Sequence, residues 1–422
     1  MNYKDKVCCV VDSGLFVELA VTLAKSFKKV YYFADWVSGF PKSNSILVGK
    51  GIPGVERIES IWPHLEEIDL FVFPDVYSGR LQVQLEMMGK RVWGSRLGED
   101  LELERVKSKE HMKRIGIDIG PYKEVTGIDA LRDHLKRNKD QWVKISKWRG
   151  DFETFHSKDY TNIEPRLDAL EHTLGARKKT TKFVVEEAIN NAIEIGYDGY
   201  TVDGKFPKGG TFGVEIKDKG FVMKKASYDD MPKAVTETND KLSKTLASYR
   251  YRGFYSSEIR LTPQGKAYMI DPCARMGSPP GELFQIMFKN LPDILWNGAE
   301  GKLVEPEMAA PWGAELLLHS PWADKNWQAV QFSPKYRDNL KFRNLTIMDN
   351  RYYIVPHEQG LPEIGAVVAL GQSMNEAIDN CKKIASEVQG YYIDLYPDSL
   401  DEAKDVFEEL EGISPAKGGL AA

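Results

Sequence analysis

Two carboxylates and one arginine carry the clearest chemical signal in this 422-residue chain. Glu258 lies in the run SSEIRL, Asp271 ends the run KAYMID, and Arg275 follows four residues later. A Pro-Gln-Gly turn at 263–265 separates the two runs and predicts an antiparallel hairpin with the acids opposite each other. Converging carboxylates favour a hard divalent cation, and such a metal beside an arginine suits phosphoryl transfer. For the hairpin alone, solvated or turn-capping acids are the alternative.

A lysine and three further acids precede the hairpin. Lys144 lies in the predicted strand WVKIS, on the face opposite its apolar neighbours, where its ammonium would act as a point charge for a phosphate. Glu186 and Glu187 end the apolar strand KFVV, and Glu194 follows seven residues after Glu187. Carboxylates at the end of a strand suit the amino group of adenine or two ribose hydroxyls. Each signal is weak alone, so the order of these residues along the chain matters more.

The elements around these residues predict an α/β chain with more than one domain. Residues 6–34 read as strand, helix and strand, and DLFVFP (69–74) begins a similar unit, which predicts a parallel sheet covered by helices. The turn DSGLF (12–16) lacks the glycine pattern of dinucleotide-binding proteins. Residues 195–270 alternate strands and turns, and the proline-rich segment 303–313 is typical of a linker.

Composition argues against several classes of function. The net charge of −5 and the pI of about 5.9 disfavour broad binding to nucleic acids or membrane surfaces. No apolar run approaches the roughly 20 residues that span a bilayer, and the charged start MNYKDK is unlike a signal peptide. The four cysteines form no metal-binding or disulfide pattern, so we expect a reduced protein in the cytoplasm.

The order of the candidate residues resembles that of the ATP-grasp superfamily of ligases. In that family a basic residue on a helix before a glycine turn is followed by a strand lysine. A strand then ends in an acid with a second acid soon after, and two further acids and an Asn-x-Arg motif come last. The matching positions here are Arg105, Lys144, Glu187 with Glu194, Glu258, Asp271, and Cys273 in place of Asn with Arg275. The run ARMGSPPGEL (274–283) is most similar to the glycinamide ribonucleotide synthetase branch.

The resemblance implies a fold and a division into domains. The fold is the ATP-grasp fold, α/β and α+β, with an N-terminal α/β domain and a small mixed C-terminal domain. The implied boundaries are 1–100 for the N-terminal domain, 101–302 for the ATP-grasp domain, with a lid at about 120–190 and a sheet-rich part at 190–302, and 303–422 for the C-terminal domain.

The resemblance also implies a reaction and a role for each residue. The reaction joins a carboxylate to an amine through an acylphosphate, with release of ADP and phosphate. The implied roles are Mg²⁺ (or Mn²⁺) binding at Glu258 and Asp271, with Cys273 only adjacent to the metal; the γ-phosphate or acylphosphate at Arg275; the α- and β-phosphates at Arg105 and Lys144; and ATP binding at Glu186, Glu187 (adenine) and Glu194 (ribose). Arg275 and Lys144 are the catalytic candidates.

Two other interpretations and several contacts stay open at this point. The chain is either such a ligase, a glycinamide ribonucleotide synthetase in the strict sense, or an ATP-binding scaffold whose site has weakened. The expected partners are a small carboxylate, a small amine and, as for related ligases, a second copy of the chain. The usual glycine-rich flap after the strand lysine is absent, and the loop 147–155 stands there. Candidates for contacts to the phosphates or the acceptor are Lys147, Arg149, Trp148, Phe152, Phe155 and Tyr228.

Overall fold

The structure is a computed structural model that describes residues 3–34, 47–145, 154–357 and 361–413. Four candidates lie outside these residues, namely Lys147, Trp148, Arg149 and Phe152. Among the helices described, none combines the length and the apolar character that crossing a bilayer requires.

The N-terminal residues form a five-stranded parallel sheet, as the alternating pattern predicts. Its elements are β1 (Tyr3–Val11), α1 (Val17–Ala24), β2 (Phe27–Phe33), β3 (Val55–Arg57), β4 (Leu70–Val72), α2 (Gly79–Met87) and β5 (Arg91–Trp93). The strand order is β3-β2-β1-β4-β5, with parallel pairing throughout. Both faces are covered, because the adjacent Cys8 and Cys9 of β1 are each fully buried in a different hydrophobic cluster.

Residues 100–187 form two short helices followed by a small antiparallel sheet. The elements are α3 (Asp100–Leu103), α4 (Arg105–Arg114), β6 (Tyr122–Thr126), α5 (Ile128–Arg137), β7 (Gln141–Ile145), β8 (Thr154–Ser157), α6 (Tyr160–Leu174) and β9 (Lys182–Glu187). The strand order is β6-β9-β7-β8. This sheet packs against α5 and α6 around a hydrophobic cluster of its own, with Leu131, Val143, Leu167 and Phe183 inside it. Because it has a core of its own, this unit is a compact subdomain of the molecule, and we call its sheet the small sheet.

An eight-stranded sheet forms the centre of the molecule. The remaining elements are β10 (Ile193–Val202), β11 (Gly209–Ile216), β12 (Gly220–Ser227), α7 (Lys233–Ser248), β13 (Arg252–Leu261), β14 (Ala267–Cys273), α8 (Gly281–Met287), α9 (Leu291–Ala299), β15 (Trp312–His319), β16 (Gln328–Val330), β17 (Leu340–Phe342), β18 (Leu345–Met348), β19 (Arg351–Ile354), β20 (Glu363–Gly371), α10 (Met374–Ala385) and α11 (Asp398–Ile413). The strand order is β14-β13-β10-β11-β12-β15-β20-β17. Strands from both sides of residue 302 join this sheet, so the predicted C-terminal boundary divides one continuous sheet.

Two local predictions need correction. The charged run 101–115, whose sequence pattern predicts one continuous helix, forms two helices, because the backbone turns at Glu104 with φ −93° and ψ 59°. The predicted loop over 147–155 ends earlier, since Thr154 and Phe155 begin β8, which pairs with β7. Phe155 is buried in the hydrophobic cluster of the small sheet, and the ring of Tyr228 stacks on Phe206. These two aromatic rings therefore contribute to packing.

Candidate active site

The hairpin predicted from the sequence is formed by β13 and β14, and it places Glu258 directly opposite Asp271. The register shifts immediately after Glu258, and such a bulge re-aims side chains next to a site. The Glu258 side chain is exposed to the cleft and forms no salt bridge within the described residues, although Lys217 and Lys144 attract it from a greater distance. The surrounding protein and the carboxylates of Glu194 and Asp271 raise the pKa of Glu258 to about 7. A carboxylate so placed attracts a cation.

Asp271 is held between two cations. Oδ1 of Asp271 lies 2.7 Å from Nη1 of Arg105, and Oδ2 lies 2.6 Å from Nζ of Lys144. Burial by itself raises the pKa of Asp271, but Lys144, Arg105 and Lys109 together outweigh burial and hold the pKa below its usual range. The two predicted phosphate-binding cations and one predicted metal ligand therefore meet at a single point, and both carboxylate oxygens are occupied.

Glu186 and Lys109 extend this contact into a chain of alternating charges. The antiparallel pairing of β7 with β9 sets Lys144 opposite Val184, two residues from Glu186 and on the same face. Nζ of Lys144 consequently lies 3.2 Å from Oε1 of Glu186, which also lies 3.0 Å from Nζ of Lys109. We call Arg105, Asp271, Lys144, Glu186 and Lys109 the ion-pair ladder.

Sequence analysis missed Lys109. This lysine is 2% exposed, and Nζ also donates to the carbonyl of Ile270 at 3.3 Å. It lies four residues after Arg105 on α4, so the two cations share one helix face. That spacing was the available signal, but α4 is charged on several sides and the sequence does not say which side is buried.

A second missed residue, Glu102, orients Arg275. Oε1 of Glu102 lies 3.1 Å from Nε of Arg275, and Oε2 accepts a hydrogen bond from the backbone nitrogen of Ala274 at 2.8 Å. Both contacts are made by a carboxylate that is 5% exposed. The turn at Glu104 lets α3 direct Glu102 towards Arg275 while α4 directs Arg105 towards Asp271.

Two adjoining cavities meet at the hairpin. The larger has a volume of about 380 Å³ and lies between the small sheet and the central sheet, where Lys144, Glu186 and Asp271 line it. The other has a volume of about 220 Å³ and reaches Ser13 of the N-terminal sheet and Arg343. Residues that line both cavities are Glu194, Glu215, Lys217, Glu258, Cys273 and Arg275. The two cavities therefore share a wall that contains Glu258 and Arg275.

The remaining acids lie at the outer part of the larger cavity. Glu187 has an exposed side chain, whereas Glu186 is buried in the ion-pair ladder. Glu194 pairs with Arg260 across the β10–β13 ladder, with Oε2 2.7 Å from Nη2. The ring of Trp142 stacks on His156 in the same cavity, with centroids 4.7 Å apart. These residues provide an aromatic surface and carboxylate oxygens in the same cavity that Arg105 and Lys144 line.

If Glu194 binds the ribose of ATP, as the resemblance implies, the Glu194→Ala substitution should raise the KM for ATP about tenfold and change kcat by less than about threefold. The reason is that a hydrogen bond to a charged group contributes about 1.5–3 kcal/mol, and contacts to ribose are equal in the ground and transition states. Steady-state kinetics over ATP concentration measures both constants. Arg260→Gln is the matched control, because it breaks the same ion pair and keeps the carboxylate. An unchanged KM in Glu194→Ala would remove Glu194 from the nucleotide site.

Cys273 is buried beside the two acids, and its environment keeps the thiol neutral. Burial is the main cause of the strong rise in the pKa of this thiol, and Glu102 and Glu258 add to it against the opposing effect of Arg275. A protonated thiol is a weak ligand for a hard cation such as Mg²⁺. Cys273 therefore adds little to a metal site at this position.

If the site holds a metal for the turnover of ATP, as the resemblance implies, the Cys273→Asn substitution should leave that turnover within about threefold of the wild type or improve it. The reason is that an amide oxygen suits a hard cation better than a neutral thiol. The measurement is the Mg²⁺ concentration that gives half-maximal activity. Cys273→Ser controls for the loss of sulfur with little change in volume. Inactivity of both folded variants would assign the thiol a role of its own.

The donor set fits one divalent cation better than two. Glu258 offers a carboxylate that forms no salt bridge within the described residues. Burial and the neighbouring carboxylates raise its pKa, against the opposing effect of Lys217 and Lys144. Asp271 is engaged by two cations, and Cys273 replaces the expected amide. The described residues contain no group of three or more His, Cys, Asp or Glu side chains placed to hold a metal ion. A metal here would need oxygen ligands from a nucleotide or water to complete its shell.

This arrangement of a small lid-like sheet over a central sheet, with cations and carboxylates between them, is the ATP-grasp fold. No protein-family model matches the sequence, and no curated protein matches it either. The fold is shown by solved structures. Phosphoribosylamine–glycine ligase from Thermotoga maritima matches with a TM-score of 0.67 and 16% identity, over 92% of this chain and 98% of that chain.

Two further structures match at similar coverage. One is the biotin carboxylase domain of 2-oxoglutarate carboxylase from Hydrogenobacter thermophilus, a dimer in complex with MgADP, ADP and bicarbonate. It has a TM-score of 0.63 and 11% identity, over 97% of this chain and 98% of that chain. The other is L-amino acid ligase from Bacillus licheniformis, with a TM-score of 0.61 and 14% identity, over 92% and 99% of the two chains. The TM-scores and the coverage show a common fold at low sequence identity, which confirms the fold predicted from the sequence.

Proposed function

We propose that the protein is an ATP-dependent ligase that joins a carboxylate to an amine. The observation that carries this proposal is the meeting of two cavities at Glu258 and Arg275, with two buried cations, Arg105 and Lys144, lining the larger cavity. A nucleotide in the larger cavity places its phosphates against Lys144 and Arg105. The smaller cavity then holds the carboxylate and the amine. The structural neighbours include ligases of this kind.

The reaction follows from this placement in two steps. A carboxylate oxygen of the first substrate forms a bond to the γ-phosphorus, and the bond to the β–γ bridging oxygen breaks, which gives an acylphosphate and ADP. The amine nitrogen then forms a bond to the acyl carbon, phosphate leaves, and the nitrogen loses a proton to give an amide. Arg275, held in place by Glu102, neutralises charge on the transferred phosphoryl group.

Lys144 and Arg105 orient the α- and β-phosphates, and Glu187 and Glu194 bind adenine and ribose. Glu258 and, once released by its cations, Asp271 would hold Mg²⁺. When bound, Mg²⁺ supplies neutralising charge to the phosphate oxygens. The side chains around the reacting atoms also exclude water, since Lys144, Arg105 and Cys273 are each less than one-tenth exposed.

The test is Mg²⁺-dependent release of ADP in the presence of hydroxylamine, over a panel of amino acids and small carboxylates. Hydroxylamine intercepts an acylphosphate, so a hydroxamate identifies the carboxylate before the amine is known. Formation of one hydroxamate supports the ligase. Glycine as its carboxylate would favour a glycinamide ribonucleotide synthetase. Controls are the same reactions without ATP and without Mg²⁺.

A specific observation also favours the second candidate, an ATP-binding scaffold without turnover. Both oxygens of Asp271 are engaged by cations, and Cys273 replaces the amide of the family motif. Tight binding of ATP without ADP release for every carboxylate in the panel would favour the scaffold over the ligase. Retention of a charge cluster that is expensive to bury favours the ligase.

A further inference from the structure

We propose that Asp271 makes the protein select metal-bound nucleotide over free nucleotide, by occupying Arg105 and Lys144 in the nucleotide-free state. This inference rests on the proposed binding of ATP in the larger cavity. Asp271 is then a specificity-determining residue as well as a metal ligand. In the nucleotide-free state its carboxylate binds the two cations that would otherwise bind a phosphate group. A divalent cation bound to the nucleotide then gives the carboxylate another partner.

The contacts of Asp271 resemble those that a phosphate oxygen pair would make. The two oxygens lie 2.7 Å from Nη1 of Arg105 and 2.6 Å from Nζ of Lys144, distances of strong charge-assisted hydrogen bonds. Arg105 is 7% exposed and Lys144 is 3% exposed, so neither cation has much water with which to replace a lost partner. Phosphate oxygens that take the same donor positions on Nη1 of Arg105 and Nζ of Lys144 must therefore displace the carboxylate.

Displacement has different consequences with and without a metal. Free nucleotide would leave the carboxylate of Asp271 uncompensated beside the phosphates, with Glu258 on the opposite strand adding to the repulsion. A divalent cation on the phosphates offers Asp271 and Glu258 a new partner at the same point. The exchange then replaces two ion pairs by metal–oxygen bonds and phosphate contacts.

The rest of the ion-pair ladder keeps the cations in place during this exchange. Lys144 retains Glu186 at 3.2 Å, and Lys109 holds the same Glu186 at 3.0 Å. Lys144 therefore stays on the face of the cavity when Asp271 leaves it. The exchange needs movement of one short side chain only, because a β-strand holds its backbone.

The test compares dissociation constants of ADP, with Mg²⁺ and with EDTA, for the wild type, Asp271→Asn and Glu258→Gln by titration calorimetry. We expect wild-type protein to bind metal-free ADP at least about tenfold more weakly than MgADP, because breaking buried ion pairs is strongly unfavourable. Asp271→Asn should bind metal-free ADP at least about tenfold more tightly than the wild type does.

Glu258→Gln is the comparison variant, because it removes negative charge from the opposite strand and leaves both ion pairs of Asp271 intact. Its affinity for metal-free ADP should change by less than about threefold, since only a longer-range repulsion is lost. Adenosine, which lacks phosphates, should bind all three proteins equally. An equal gain in affinity for metal-free ADP in both variants would overturn the inference. The gain would then come from the loss of any negative charge near the phosphates and not from the ion pairs of Asp271.

The remaining outcomes separate this inference from the proposed function. Wild-type protein that binds ADP equally well with and without Mg²⁺ overturns the inference and leaves the ligase standing, and this result does not depend on the folding of any variant. Asp271→Asn that binds metal-free ADP no more tightly than the wild type overturns it as well. Folded wild-type protein that binds neither form of ADP overturns the proposed function itself.

Discussion

The Asp271→Asn protein should release ADP at least about a thousandfold more slowly than the wild type, which corresponds to about 4 kcal/mol of lost transition-state stabilisation. Asparagine keeps the shape of the side chain and one acceptor oxygen but removes the charge that a metal on the transferring phosphate requires. The measurement is Mg²⁺-dependent turnover of ATP with the carboxylate identified by the hydroxylamine assay. Full activity in this variant would remove Asp271 from the metal site.

Stability measurements show whether Asp271→Asn is inactive because it lacks the charge or because it does not fold. The variant should remain folded but less stable at neutral pH, since two buried cations lose a charged partner. The folded-state pKa of Asp271 is depressed, so its contribution is present above the unfolded pKa of about 4 and is lost as pH falls through the folded value. The difference in unfolding free energy between the two proteins should therefore shrink below about pH 4.

The Glu258→Gln substitution should also reduce the turnover of ATP by at least about a hundredfold. It should not lower the stability of the metal-free protein. The carboxylate forms no salt bridge within the described residues, and it lies opposite Asp271 and near Glu194. Removing its charge relieves repulsion between like charges. Loss of activity with unchanged or higher thermal stability would identify a residue kept for function.

The pH dependence of this second variant has the opposite sign. The folded-state pKa of Glu258 is raised to about 7, so its contribution to stability is fully present below the unfolded pKa of about 4.3 and is lost as pH rises through the folded value. The wild type should therefore lose stability relative to Glu258→Gln between these pH values. Addition of Mg²⁺ and ADP should stabilise the wild type more than the variant. Equal stabilisation of both proteins would argue against metal binding at Glu258.

The local elements of the site were predictable because their signals are local. The hairpin of β13 and β14 follows from two strand-like runs and a Pro-Gln-Gly turn, and the register then places Glu258 opposite Asp271. The parallel N-terminal sheet follows from alternating strands and helices. The turn at Glu104 was missed, since no glycine or proline marks it and the charged run reads as one helix.

The partners of the charged residues were less accessible. Lys109 and Glu102 each lie on a short, strongly charged helix. On such a helix the sequence does not distinguish charged side chains that face solvent from charged side chains that face the protein. Both residues are more than nine-tenths buried, because Glu102 on α3 contacts Ala274 after β14 and Lys109 on α4 contacts Ile270 of β14 and Glu186 of β9. Burial of a charge depends on the arrival of a partner from elsewhere in the chain, which a local pattern does not contain.

The sequence by itself determined which charges the site contains, and the strand positions of Lys144, Glu258 and Asp271 follow from period-two alternation and turn chemistry. Only the tertiary structure decided that Arg105 and Lys144 close on Asp271. These partners are 166 and 127 residues from Asp271 along the chain. Their contact depends on the packing of three separate elements and on the low local dielectric that strengthens attraction between buried charges, and neither quantity is written in the spacing of residues.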